Sequence, residues 1–203
     1  MKRRVTHALR IAIFGGTFDP PHIGHLIVAE QAREQLDLDR VIFIPAFVPP
    51  HKKHGAIANP RERLTMTRLA TKGSKAFFVS SMEVQRKGVS YTIDTVRELR
   101  NQYPDAEIFL IMGGDNFKLI ETWKSSQEIL RIVKIAIYRR SNHGRKRLRK
   151  PHKGVVELKG VFLDISSTII RQRVHRGESI RYLVPAEVHS YIRANKLYQP
   201  PEH

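Results

Sequence analysis

The sequence predicts an α/β fold, a doubly wound and mostly parallel sheet with helices on both faces. Three observations carry that expectation. Short runs rich in Ile, Val and Phe alternate with stretches of helical pattern from residue 10 to residue 195. These runs are apolar at nearly every position, as strands covered on both sides require. The segments richest in Gly, Pro, His, Ser and charge fall just after strands, on the rim where open parallel sheets bind ligands.

Residues 10–15, Arg-Ile-Ala-Ile-Phe-Gly, form the first expected strand, and residues 23–36 the first helix. A strand at 41–45 precedes a helix at 60–71, where Asn59 offers a cap and Pro60 suits the first helical position. A strand at 76–80 and a helix at 92–102 follow, then a strand at 107–112, a helix at 125–132 and a strand at 133–138. A pair of strands is expected around 155–163, followed by helices at 167–176 and 185–195. Asn195 is expected to close the last helix in the left-handed conformation. The order is Rossmann-like. No repeat or linker interrupts it, so residues 1–203 are read as a single domain carrying a basic surface loop at 139–153.

The chain has 203 residues and is 41% hydrophobic, enough for one sizeable core. It contains no cysteine, which excludes disulfides, zinc–thiolate sites and thiol catalysis and fits a reducing compartment. No apolar run approaches the ~18 residues of a membrane span. The start, Met-Lys-Arg-Arg, has the charge of a signal-peptide n-region, but the apolar stretch after it is short and runs into Gly15-Gly16. A cytoplasmic protein with no membrane partner is expected. The net charge of +17 is uneven: residues 139–153 hold eight basic side chains and no acid, and Lys2, Arg3 and Arg4 add three more. The plainer reading of that loop is solvation, and the sharper one is non-specific contact with nucleic acid or another polyanion. It has no aromatic residue on which a base could stack.

Residues 15–25 read Gly-Gly-Thr-Phe-Asp-Pro-Pro-His-Ile-Gly-His and form a strand-to-helix turn. Glycines there let a ligand approach the backbone, and His22 and His25 stand three residues apart on one helical face. A helix N-terminus carries unpaired N–H groups and partial positive charge, which suits phosphate. Neither a Gly-x-Gly-x-x-Gly fingerprint nor a Gly-x-x-x-x-Gly-Lys-Ser/Thr loop is present. His22, His25, His51 and His54 have a spacing that zinc could use, but no acid or cysteine stands beside them, so no protein-held metal is expected. A second cluster joins Ser166, Ser167 and Thr168 to Arg171 one turn on, placing hydroxyl and N–H donors beside a cation. By itself that cluster is a common helix cap.

The first motif resembles the His-x-Gly-His signature of the nucleotidyltransferase superfamily, which has a related form in class I aminoacyl-tRNA synthetases. Residues 165–171 resemble the superfamily's second motif. From residue 10 to about residue 198 the chain is similar to the bacterial nicotinate-mononucleotide adenylyltransferases. The similarity includes Ile44-Pro45, Val48-Pro49-Pro50-His51-Lys52, Ser90-Tyr91-Thr92, Gly113-Gly114-Asp115, Thr122-Trp123 and residues 182–187. This resemblance implies ATP and nicotinate mononucleotide as substrates, with Mg2+ entering on ATP through phosphates and water. It implies that His22, His25 and Arg171 stabilise charge on the triphosphate as catalytic residues. Gly15, Gly16, Thr17, Phe18, Asp115, Ser166, Ser167 and Thr168 would bind ATP. His51, Lys52, Tyr91, Thr92 and Trp123 would bind the mononucleotide, with Trp123 on the pyridine ring and Thr92 near its carboxylate. A flat aromatic acid needs such a π-face and a few donors. Trp123 read alone is a core residue first, while Thr92 is equally a helix cap and Asp115 equally a cap for a short helix.

The implied reaction is attack by the mononucleotide phosphate on the α-phosphorus of ATP, giving nicotinate adenine dinucleotide and pyrophosphate. It needs no covalent nucleophile, only positioning and charge stabilisation. Three alternatives stay open on the sequence. Nicotinamide mononucleotide differs from the expected acceptor by one carboxylate. Phosphopantetheine enzymes are shorter and lack the Tyr-Thr and Thr-Trp pairs. A nucleic-acid-binding protein could use the same fold. A homo-oligomer is also left open, and neither the basic loop nor residues 2–10 has an assigned role.

Overall fold

The computed structural model describes residues 8–50, 56–139, 154–161 and 163–200. His51, Lys52, and the basic loop beyond Arg139 lie outside the described residues. Among the described residues six strands form one sheet: β1 (Arg10–Gly16), β2 (Arg40–Pro45), β3 (Phe77–Val79), β4 (Glu107–Gly113), β5 (Lys134–Tyr138) and β6 (Val155–Glu157). Their order is β3-β2-β1-β4-β5-β6, and every pairing is parallel, not merely most of them. The winding reverses between β1 and β4, so a crevice opens where Gly15-Gly16 and Gly113 end those strands.

The helices are α1 (Ile23–Gln35), α2 (Pro60–Thr71), α3 (Met82–Arg86), α4 (Thr92–Gln102), α5 (Gly114–Lys118), α6 (Ser126–Ile132), α7 (Ser167–His175) and α8 (Ala186–Ala194). A 3-10 turn covers Ile120–Thr122. Side chains alternate across β1, so Ile11 and Ile13 pack with Ile93, Val96 and Leu99 of α4 and Ile129 of α6. Ala12 and Phe14 face the other way, against Val28, Ala29 and Ala32 of α1. A third apolar cluster joins α2, α7 and α8 through Met66, Ala70, Ile170, Val188 and Ile192.

Two expectations need correction. The strand pair around 155–163 is a single strand, β6. Beyond it, Lys159 exchanges both main-chain hydrogen bonds with the Gln35 side chain, at 2.9 and 2.6 Å, and the Val161 carbonyl accepts from Gln31. Those main-chain groups are satisfied by α1, which removes the drive to pair a second strand. Asn195 is not left-handed (φ −100°); Lys196 is, at φ 49°. The helix is closed by Leu197 donating to the Ile192 carbonyl at 3.0 Å. Among the described residues no helix is long and apolar enough to cross a membrane.

Candidate active site

A cleft of about 440 Å³ opens at the carboxyl ends of β1 and β4. Gly15, Gly16, Thr17, Phe18, His25, Thr92, Trp123 and Ser167 all line it, so residues expected for ATP and for the acceptor share one space. That volume is within the range of small-ligand sites.

His22 is the N-cap of α1, and only 3% exposed. Its N–H donates to Nδ1 of His25 at 3.1 Å, and the His25 N–H donates to its carbonyl at 2.9 Å. The two imidazoles stack with centroids 3.7 Å apart. His25 is half-buried and faces the cleft, with the Phe18 ring edge-on at 5.1 Å and Phe14 at 6.0 Å. Phe18 holds a left-handed backbone (φ 50°), an unusual state for a bulky residue. Packing on Phe14 and Phe43 keeps it there, and a Cβ on Gly16 would lie 3.0 Å from its ring. A helix start expected to offer open amides is partly closed: the Ile23 N–H is taken by the Leu183 carbonyl at 3.0 Å.

The second motif docks on the first. Ser166 caps α7 by accepting from the Ile169 N–H at 3.2 Å, and the Ser167 hydroxyl donates to the Pro20 carbonyl at 2.9 Å. Arg171 donates to the Asp19 carbonyl at 2.7 Å and to the exposed Thr168 hydroxyl at 3.3 Å. Asp19 is 1% exposed, and its carboxylate accepts from Ile57 N–H, Ala58 N–H and the Tyr198 hydroxyl at 2.9, 3.1 and 2.8 Å. Burial, with Asp19 beside it, pushes the Tyr198 hydroxyl up, so it remains a donor.

On the acceptor side, Tyr91 is the N-cap of α4, and Thr92 is its first helical residue, not the cap. Tyr91 is half-buried, with Lys124 4.4 Å above its ring centroid. Asp115 stands apart from the cleft lining: its side chain is 96% exposed and paired with Lys118 at 2.9 Å, while Asn116 lines the cleft. Among the described residues no three His, Cys, Asp or Glu side chains are placed to hold a metal.

Three residues were not found by sequence reasoning. Tyr138 ends β5 and lines the cleft against Phe14. Glu83 lines it from α3, buried, and accepts from Thr95 Oγ1 at 2.6 Å. Burial pushes its carboxyl up, against hydrogen bonds with Thr95 and Ser90 and the charge of Arg86. Arg63 in α2 is wholly buried beneath the first motif.

A family model described as Cytidylyltransferase-like matches residues 13–173. "Probable nicotinate-nucleotide adenylyltransferase" of Halalkalibacterium halodurans is 43% identical, over 95% of this chain and 93% of that protein. The protein of the same name from Exiguobacterium sibiricum is also 43% identical, over 94% and 99%. The solved Plasmodium falciparum nicotinic acid mononucleotide adenylyltransferase complexed with NaAD shares the fold, at TM-score 0.75, 16% identity, and 94% and 97% coverage. On these matches the chain belongs to the cytidylyltransferase-like family and, within it, to the nicotinate-nucleotide adenylyltransferases.

Proposed function

We propose that the chain transfers the adenylyl group of ATP to nicotinate mononucleotide, giving nicotinate adenine dinucleotide and pyrophosphate for NAD biosynthesis. The observation that carries this reading is the shared cleft, in which Gly15, His25 and Ser167 stand with Thr92 and Trp123. Such a site can bring an ionised acceptor phosphate against the α-phosphorus, and positioning of that kind supplies much of the rate. The half-buried His25 imidazole faces the leaving pyrophosphate, and the buried His22 ring stacked on it fixes its plane. Arg171 brings its charge to the first motif, and its fork has more donors than Asp19 and Thr168 occupy. Trp123, half-buried in the wall, offers a face to the pyridine ring, and Thr92 offers a hydroxyl beside it.

Magnesium brought in on ATP would neutralise phosphate charge, with no cage of protein carboxylates required of the chain. The carboxylate of Asp19, the acid of the first motif, is already engaged by two amides and a hydroxyl. The reading takes the chain as one domain, supported by Leu26, which packs against both the α1 cluster and the α2–α7–α8 cluster.

Pyrophosphate release from ATP and magnesium, with nicotinate or nicotinamide mononucleotide as acceptor, tests the proposal. The expected result is turnover that favours nicotinate. Turnover with neither acceptor overturns the reaction, and a preference for nicotinamide overturns the acceptor.

A further inference from the structure

Arg63 lies outside every motif described above, yet it is 0% exposed. A guanidinium stays charged and is costly to remove from water, so it is kept inside only where its donors are used. Here they are used on three main-chain carbonyls: Nε on Ala58 at 3.1 Å, Nη1 on Thr17 at 2.7 Å and Nη2 on Phe47 at 3.0 Å. Thr17 belongs to the first motif, Phe47 follows β2, and Ala58 precedes α2. Two of those residues are gripped from their other side as well. The Phe47 N–H donates to Ser90 Oγ at 2.9 Å, and the Ala58 N–H to Asp19 at 3.1 Å. The Ala46 N–H closes the set on the Gly16 carbonyl at 2.9 Å.

We infer that Arg63 is a positioning residue that sets the spacing between two cleft walls, the Gly15–Gly16–Thr17 turn and the Ala46–Phe47 segment. Gly15, Gly16, Thr17 and Ala46 line the cleft; Arg63 does not, and so it acts only through them. The inference rests on the two-substrate reading proposed above. Lysine cannot replace the fork, because a single ammonium cannot reach three carbonyls arranged around a plane. Spacing matters to the reaction between two bound substrates more than to the binding of either one.

The test uses the full chain with Arg63→Lys, and Ile192→Ala as a control for lost stability, since Ile192 is 1% exposed in α8 and away from the cleft. Calorimetry gives Kd for nicotinate mononucleotide and for an unreactive ATP analogue, and pyrophosphate release gives kcat. Arg63→Lys is expected to lower kcat about 10²-fold while each Kd stays within about fivefold. Ile192→Ala, at an equal or larger fall in Tm, is expected to keep kcat within about twofold. Amide exchange supplies a readout without turnover: Ala46 and Phe47 exchange at least about tenfold faster in Arg63→Lys and not in the control. Loss of kcat that merely tracks Tm in both variants, or unchanged exchange at Ala46 and Phe47, overturns the inference. Should Arg63→Lys not fold, Arg63→Gln, which leaves one amide group for three carbonyls, takes its place, and an unchanged kcat there overturns the inference too. A wild-type chain inactive with nicotinate mononucleotide fails the functional reading instead, and the exchange arm still decides the role of Arg63.

Discussion

The His22 and His25 rings stack 3.7 Å apart and 29° from parallel, one buried in the protein and the other facing the cleft. Their environments therefore separate two roles that the motif presents as equivalent. His25→Ala is expected to lower kcat about 10²–10³-fold while nicotinate mononucleotide affinity changes little, as removal of a transition-state contact does. His22→Ala is expected to lower kcat and also to cost about 1–3 kcal/mol of stability, because a packed ring is lost. Steady-state kinetics and urea denaturation of both variants check this. Equal losses of kcat and affinity in His25→Ala would contradict the charge-stabilising role.

Gly15 and Gly24 are glycines for different reasons. A Cβ on Gly15 meets nothing within 4 Å, whereas one on Gly24 would lie 3.1 Å from the His22 ring. The protein leaves Gly15 open on the side where the cleft lies. Gly15→Ala is expected to hold stability or raise it by up to about 1 kcal/mol, while ATP binding falls at least about tenfold. Gly24→Ala should lower Tm by displacing the imidazole. Calorimetric ATP-analogue titrations beside thermal melts separate the two; normal ATP affinity in Gly15→Ala would refute the close approach.

Glu83 gives a pH signature. Its folded-state value is raised by burial above the ordinary 4.5, so the folded chain holds this proton more tightly than the unfolded chain. Its contribution is full below the ordinary value and is lost as pH rises through the raised one. Glu83→Gln removes that titration. The stability of the variant relative to wild type should rise as pH climbs from the ordinary value of 4.5 through the raised one in urea denaturation. A difference that stays flat with pH would rule this out.

Tyr198→Phe deletes one of three donors on the buried Asp19 carboxylate. A loss of about 1–3 kcal/mol is expected, since the freed acceptor has no water to turn to. Denaturation at constant m-value measures it, and a neutral result would mean that Asp19 does not depend on the C-terminal segment.

Much of this was legible in the sequence. The helices Pro60–Thr71 and Thr92–Gln102 have the predicted bounds, because Asn59-Pro60 marks one start and apolar periodicity marks both. Helices of five residues are too short to show a period: α3 was not legible, and α5 was read only as a short helix that Asp115 could cap. That is why residue type favoured Asp115 while the local turn places Asn116 on the cleft. Arg63 sits in Pro-Arg-Glu-Arg, where it reads as one more charge at a helix start. Its role depends on carbonyls 46, 16 and 5 residues away, and no local pattern encodes those.

The bond from Tyr198 to Asp19 spans 179 residues. The first motif is therefore locked only once the chain has been made as far as residue 198. Contacts of such sequence separation are slow to form, because the chain between them must be ordered first. A nascent chain that already holds all six strands would still lack this brace, and the ability to bind nucleotide would wait for it.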